Sequence, residues 1–107
     1  MLRKRALAGE IQMFPGVVRR TLNYGDRMLL AEIVFDEGGE IPWHAHPHEQ
    51  IGYLAAGRLV FELGDEKREL AAGDSWLVPA DFRHKVKAVE PSVAIDVFSP
   101  VRDDYRY

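Results

Sequence analysis

The sequence predicts an all-β fold, a sandwich or small barrel. Three observations carry that expectation. No segment sustains a 3.6-residue apolar period, short runs rich in Val, Ile, Leu and aromatics recur along the chain, and Gly, Pro, Asn or Asp interrupts them at close, even intervals. Turn signals spaced every eight to twelve residues are the mark of a sandwich or barrel.

Taken in order, "MLRKRALAGEIQ" reads as an N-terminal tail passing into a strand over residues 1–15, because Glu10 cuts short the apolar stretch that a signal peptide would need. "GVVRRTLNYGD" and "RMLLAEIVFDEGG" read as two strands closed by turns at Gly25-Asp26 and Gly38-Gly39. "PWHAHPHEQIGYLAAG" and "RLVFELGDE" form the next pair, turning near Gly57. In "RLVFEL" the alternation sets Leu59, Phe61 and Leu63 on one face and Arg58, Val60 and Glu62 on the other. "KREL", "SWLVP", "HKVKAVE" and "SVAIDVFSP" bring the total to about eight or nine strands.

Composition narrows the function classes. A chain of 107 residues fits one domain, residues 1–107, large enough for its own core. A net charge of -3 with scattered Lys and Arg offers no footprint for a phosphate backbone or an anionic membrane, so neither nucleic acid nor lipid is expected as a partner. No run approaches the apolar length of a membrane span, and a cytoplasmic location is expected. Cysteine is absent, so any metal must be held by nitrogen and oxygen.

Such donors concentrate in "IPWHAHPHEQIGYLAAG", which holds three of the four histidines. Placed on one strand, His44, His46, His48 and Gln50 share a face, while Trp43, Ala45 and Glu49 take the other. Residues two apart are separated by about 6.6 Å along a strand, a gap that two imidazoles leaning together bridge to reach one ion. His84 follows the turn signal "VPADFRH" and completes a set of three imidazoles and one amide oxygen, suited to one divalent transition ion: Ni, Fe, Zn, Mn or Co. Glu49 is a rival fourth ligand, because a bulge at Pro47 would reverse the parity and turn it inward. His48 is one donor too many on a single strand and is expected to act in the pocket, on substrate or behind the ligands.

At these residues the chain resembles the cupins. Their first motif is matched by Gly38, His44, His46, Gln50 and Gly57 across residues 38–57, their second by Gly73, Pro79 and His84 across residues 73–88, and 15 residues separate the two. Gln50 stands where the family usually has Glu, Asp81 where it has Gly, and Ala88 where it has Asn. Asp is among the side chains that tolerate the positive φ such a turn requires. The resemblance implies a conical β-barrel, the double-stranded β-helix or jelly roll, with an ion near its centre. Gln in place of Glu would leave that ion without an anionic protein ligand and attractive to anionic substrates.

The strand "SVAIDVFSP" sets Val93, Ile95 and Val97 on one face and Ala94, Asp96 and Phe98 on the other. A carboxylate there is salt-bridged, exposed, or poised in a cleft with a shifted pKa. "HPHEQIGYLAAGRLVFEL", "GDSWLVPADFRHKVKAVE" and "AIDVFSPVRDDY" together resemble the KdgF-like cupins of uronate catabolism. That resemblance implies opening of a 4,5-unsaturated monouronate to its linear keto form, with His44, His46, Gln50 and His84 on the metal and Asp96 as the active-site acid beside Phe98 and Arg102. Arg102 would clamp an anionic sugar carboxylate with its planar fork, or else sit solvated beside Asp103 and Asp104. Arg19, Arg20 and Glu32 are weaker candidates for the same pocket. A metal-dependent dioxygenase and a non-catalytic sugar- or metal-binding module are the competing readings. A homodimer is expected, since the edges of so small a barrel tend to be covered.

Overall fold

The computed structural model describes residues 1–107. Ten strands follow one another: β1 (Ile11–Phe14), β2 (Val17–Tyr24), β3 (Leu29–Phe35), β4 (Glu40–His44), β5 (Glu49–Ala56), β6 (Arg58–Leu63), β7 (Glu66–Ala71), β8 (Ser75–Val78), β9 (His84–Ala88) and β10 (Ser92–Ser99). Two short 3₁₀ turns, Arg5–Leu7 and Asp103–Tyr105, flank them. No helix is long and apolar enough to cross a membrane.

The strands form a six-stranded sheet in the order β1-β2-β3-β10-β5-β8 and a four-stranded sheet in the order β4-β9-β6-β7, all neighbours antiparallel. This is the all-β jelly roll. Two sheets facing each other bury alternate residues, as β2, β5, β6 and β10 show. Val17, Leu29, Leu54, Leu59 and Val78 are completely enclosed between them, within one apolar cluster. The alternation of "RLVFEL" holds: Leu59 and Phe61 are buried, Leu63 packs half-buried against the cluster, and Arg58 is exposed.

Ten strands stand where about nine were expected, and the extra one comes from the histidine segment. Residues 43–57 do not make one strand. β4 ends at His44, residues 45–48 bend outside any strand, and β5 begins at Glu49. Pro47 has no N–H to give a ladder, and the chain turns around it as β4 of one sheet hands over to β5 of the other.

Two turns position the site. Gly57, between β5 and β6, has φ +93°, and a Cβ there would strike Ser92 and the carbonyl of Pro91. Asp81 has φ 63°, the left-handed conformation expected of a residue standing where glycine is usual. Its backbone N–H donates to His46 O at 2.7 Å, which ties the turn before His84 to the loop that carries His46.

Candidate active site

The break at residues 45–48 corrects the shared-face reading: the histidines reach one centre from a strand end, a loop and a neighbouring strand. His44 closes β4 and pairs in register with His84 at the start of β9, while His46 folds back from the loop into the interior. Ring centroids lie 4.0 Å apart for His44 and His84, 5.0 Å for His46 and His84, and 5.6 Å for His44 and His46. One ring nitrogen from each falls within 4.8 Å of those of the other two.

Each of these rings is anchored by main chain. His44 Nδ1 meets Pro42 O at 2.8 Å, His46 Nδ1 meets His48 O at 3.0 Å, and His84 Nδ1 meets Phe82 O at 2.9 Å. A carbonyl only accepts, so every Nδ1 is the protonated one. Burial lowers the pKa of all three, that of His84 to about 4, with the positive charge of Arg102 adding to the effect. At neutral pH the rings are therefore uncharged and each Nε2 carries a bare lone pair.

Gln50 joins the cluster from β5. Its Nε2 donates to Asp96 Oδ1 at 2.8 Å, which turns Oε1 toward His46 Nε2 at 3.1 Å. Two bare acceptors then face each other, a repulsive pair by themselves and a cohesive one around a cation. Three imidazole nitrogens and an amide oxygen fit a divalent transition ion on this ground. A glutamate at position 50 would set a second carboxylate against Asp96, so the departure from the usual acid has a local cause. Glu49 is exposed and points away, which removes it as the rival ligand. The side chain of His48 is not among the three whose nitrogens converge, and its contribution is the carbonyl that orients His46.

Asp96 sits on β10, an inner strand of the sheet between β3 and β5, and is 4% exposed. It forms no salt bridge. Burial raises its pKa to about 6, opposed by the hydrogen bonds from Gln50 and Trp76. Both bonds fall on Oδ1, at 2.8 and 2.7 Å, and Oδ2 takes none from the protein. Of the three readings open for this residue, the structure shows neither a salt bridge nor exposure, and it places the carboxyl in the wall of the cavity.

Arg102 is paired with Asp104 as one expectation had it, but it is not solvated. It is bonded to Asp104 at 2.8 and 3.2 Å, yet its side chain is only 14% exposed, lies over the Tyr105 ring at 3.9 Å and the Phe98 ring at 5.0 Å, and lines the cavity with Asp96. Phe98 presents its ring at a steep angle to His46, 5.7 Å away. The cavity between His44, Gln50, His84, Asp96, Phe98 and Arg102 measures about 30 Å³, room for an ion and a water and not for a sugar ring. Arg102 and Tyr105 line the same cavity.

Arg19, Arg20 and Glu32 are not in the cavity. Arg20 and Glu32 join Arg5 and Glu10 in an ion-pair group, with Arg5 bound to Glu32 at 2.8 Å. Arg19 donates to Thr21 Oγ1 and to Tyr105 O and stacks on the Tyr105 ring, which fixes the C-terminal segment. Sequence reasoning missed Trp76, Gly52 and Tyr105. Gly52 carried a signal, since glycine in mid-strand marks close approach of another group.

Comparison with known proteins agrees with this geometry. A family model described as the cupin domain matches residues 31–98. The chain is 35% identical over 92 residues to the pectin degradation protein KdgF of Dickeya dadantii (strain 3937), covering 84% of each. It superposes on the structure of KdgF from Halomonas sp. with a TM-score of 0.93, at 33% identity over 99% of this chain and 100% of that one. An RmlC-like cupin from Shewanella frigidimarina gives a TM-score of 0.89 at 30% identity, covering 94% and 91% of the two chains. With its two histidine motifs folded onto one centre and these relatives matching along most of its length, the chain belongs to the cupin family, in its KdgF-like group.

Proposed function

We propose that this protein is a metal-dependent enzyme of pectin or uronate breakdown that opens 4,5-unsaturated monouronates to their linear keto form. The observation that carries the reading is Asp96: a buried carboxyl with one oxygen held and the other free, in the same cavity as the imidazole cluster and an arginine. The KdgF relatives from Dickeya dadantii and Halomonas sp. support the substrate class.

His44, His46, His84 and Gln50 hold the ion in this reading, and a divalent ion there supplies Lewis acidity toward a sugar oxygen. The sugar engages this small cavity from outside, and Arg102 receives the uronate carboxylate, charge against charge. Phe98 walls the cavity beside the imidazoles, and His48 orients His46 through its carbonyl. As a carboxylate, Asp96 takes the proton of the anomeric hydroxyl through Oδ2. The carbon–oxygen bond between the anomeric carbon and the ring oxygen breaks, its electron pair passes to the ring oxygen, and an aldehyde and an enolate result while Asp96 holds the proton. Return of that proton from Asp96 to the enolate carbon gives the ketone, so the reaction is an isomerisation that consumes no water and leaves Asp96 as it began. A carboxyl near pKa 6 exchanges protons readily in both directions close to neutrality.

The test is to load the purified protein with each candidate metal, add unsaturated monouronate from a pectin or alginate lyase digest, and follow the ultraviolet band of the conjugated double bond. Faster decay than in the protein-free control is expected, and Asp96→Ala should lose about 10²- to 10⁴-fold in rate. Decay no faster than the control with every metal would sink the proposal.

We also propose a homodimer built on the outer face of the six-stranded sheet. Ile51, Tyr53 and Leu77 are each about half exposed there, beside Ile95 and Val97, in a patch lined largely by apolar side chains.

A further inference from the structure

Trp76 is the pocket residue to which neither the motif spacing nor the reaction chemistry gives a role. Its indole Nε1–H donates to Asp96 Oδ1 at 2.7 Å. Trp76 on β8 and Asp96 on β10 both pair with Gly52 on the strand between them. Neighbouring strands lie about 4.8 Å apart, so the two backbones stand nearly two strand spacings from each other. A Cβ on Gly52 would collide with both the indole and Asp96 Oδ1. Glycine weakens a strand, and here it clears the passage through which the indole reaches the carboxyl.

A buried indole needs an acceptor, and a backbone carbonyl would serve without burying a charge. The acceptor is instead the one acid of the apolar wall. We propose that Trp76, seated across Gly52, is a positioning residue for Asp96: together with Gln50 it holds Oδ1, fixes the carboxyl rotamer and leaves Oδ2 as the oxygen presented to substrate. Phe61 backs the indole, its ring centre 5.2 Å away, and lies parallel to the His84 ring at 6.2 Å, so one aromatic stack supports both the carboxyl's holder and an imidazole. For its substrate the inference rests on the uronate reading; for the bond itself it does not.

Two measurements test it. The chain has two tryptophans, so in a Trp43→Phe background Trp76 gives the single indole N–H resonance. That resonance is expected downfield and slow to exchange, and to move upfield when Asp96 is changed to Ala. An indole signal indifferent to Asp96→Ala overturns the proposal, whether or not any uronate is turned over. In the assay, Trp76→Phe keeps an aromatic ring against Phe61 and deletes the N–H. It should lower kcat about 10- to 100-fold, with KM within about threefold and bound metal unchanged. Gly52→Ala should lower kcat in the same way by displacing the indole. Wild-type kcat in a folded Trp76→Phe protein also overturns the proposal. Where that variant does not fold, or where the wild-type protein opens no uronate, the indole resonance decides alone.

Discussion

At Gln50 one side chain serves two partners, its nitrogen bonding Asp96 and its oxygen facing His46. A carboxylate would suit a metal better and Asp96 worse. Gln50→Glu is therefore expected to retain metal, measured by elemental analysis, while losing at least about tenfold in turnover, because two adjacent carboxyls must share a proton. Asp96 carries a stability consequence with a definite sign. Its folded pKa lies near 6 against an ordinary value of 3.8, so folding favours the protonated form. The stabilisation is fully present below about pH 3.8 and is lost as pH rises through 6, a difference of ~3 kcal/mol. In metal-stripped protein, Asp96→Asn should gain on wild type by about that amount between pH 4 and pH 8 in urea unfolding, while abolishing turnover. Equal differences at the two pH values would contradict the burial argument. The oddity of Asp96 was legible in the sequence as an acid within an apolar alternation. Its bond to Trp76 was not, since only the register of β8, β5 and β10 brings residues 76, 52 and 96 into one row.

The turn from Val78 to His84 and the loop from His44 to Glu49 are the elements that assemble the imidazoles, joined by the bond from Asp81 N–H to His46 O. Because Asp81 holds φ 63°, Asp81→Gly should be neutral or mildly stabilising. Asp81→Val should cost about 1–2 kcal/mol in thermal unfolding and loosen metal binding with it. Motif spacing made this turn readable. The loop was misread because two-residue alternation assumes an unbroken strand, and a single proline with a change of sheet ends it. The C-terminal 3₁₀ turn was unreadable for a different reason: Tyr105 is anchored by Arg19, far away in sequence, through its main-chain oxygen. Tyr105→Ala should free Arg102 from its stacking partner, raise KM for the uronate more than it lowers kcat, and reduce the melting temperature.

For the molecule as a whole, the expected all-β class is the observed one, since turn spacing and strand alternation both survive in any register, while the jelly-roll topology was implied by the resemblance of the two histidine motifs to the cupins. The outer face of the larger sheet was less visible, because Ile51, Tyr53 and Leu77 read locally as ordinary strand residues. Paired across β5 and β8, they make one patch. A dimer formed there should dissociate in Tyr53→Glu, seen as a halved mass by sedimentation, with the ultraviolet assay unimpaired. A monomeric wild type would dispose of the dimer and leave the proposed chemistry standing. One consequence reaches into how this centre can change over generations. The three imidazoles are braced by the carbonyls of Pro42, His48 and Phe82, groups that every amino acid carries. Substitution at those positions leaves the braces in place, so residues 42, 48 and 82 are open to drift while the rings they hold keep their aim.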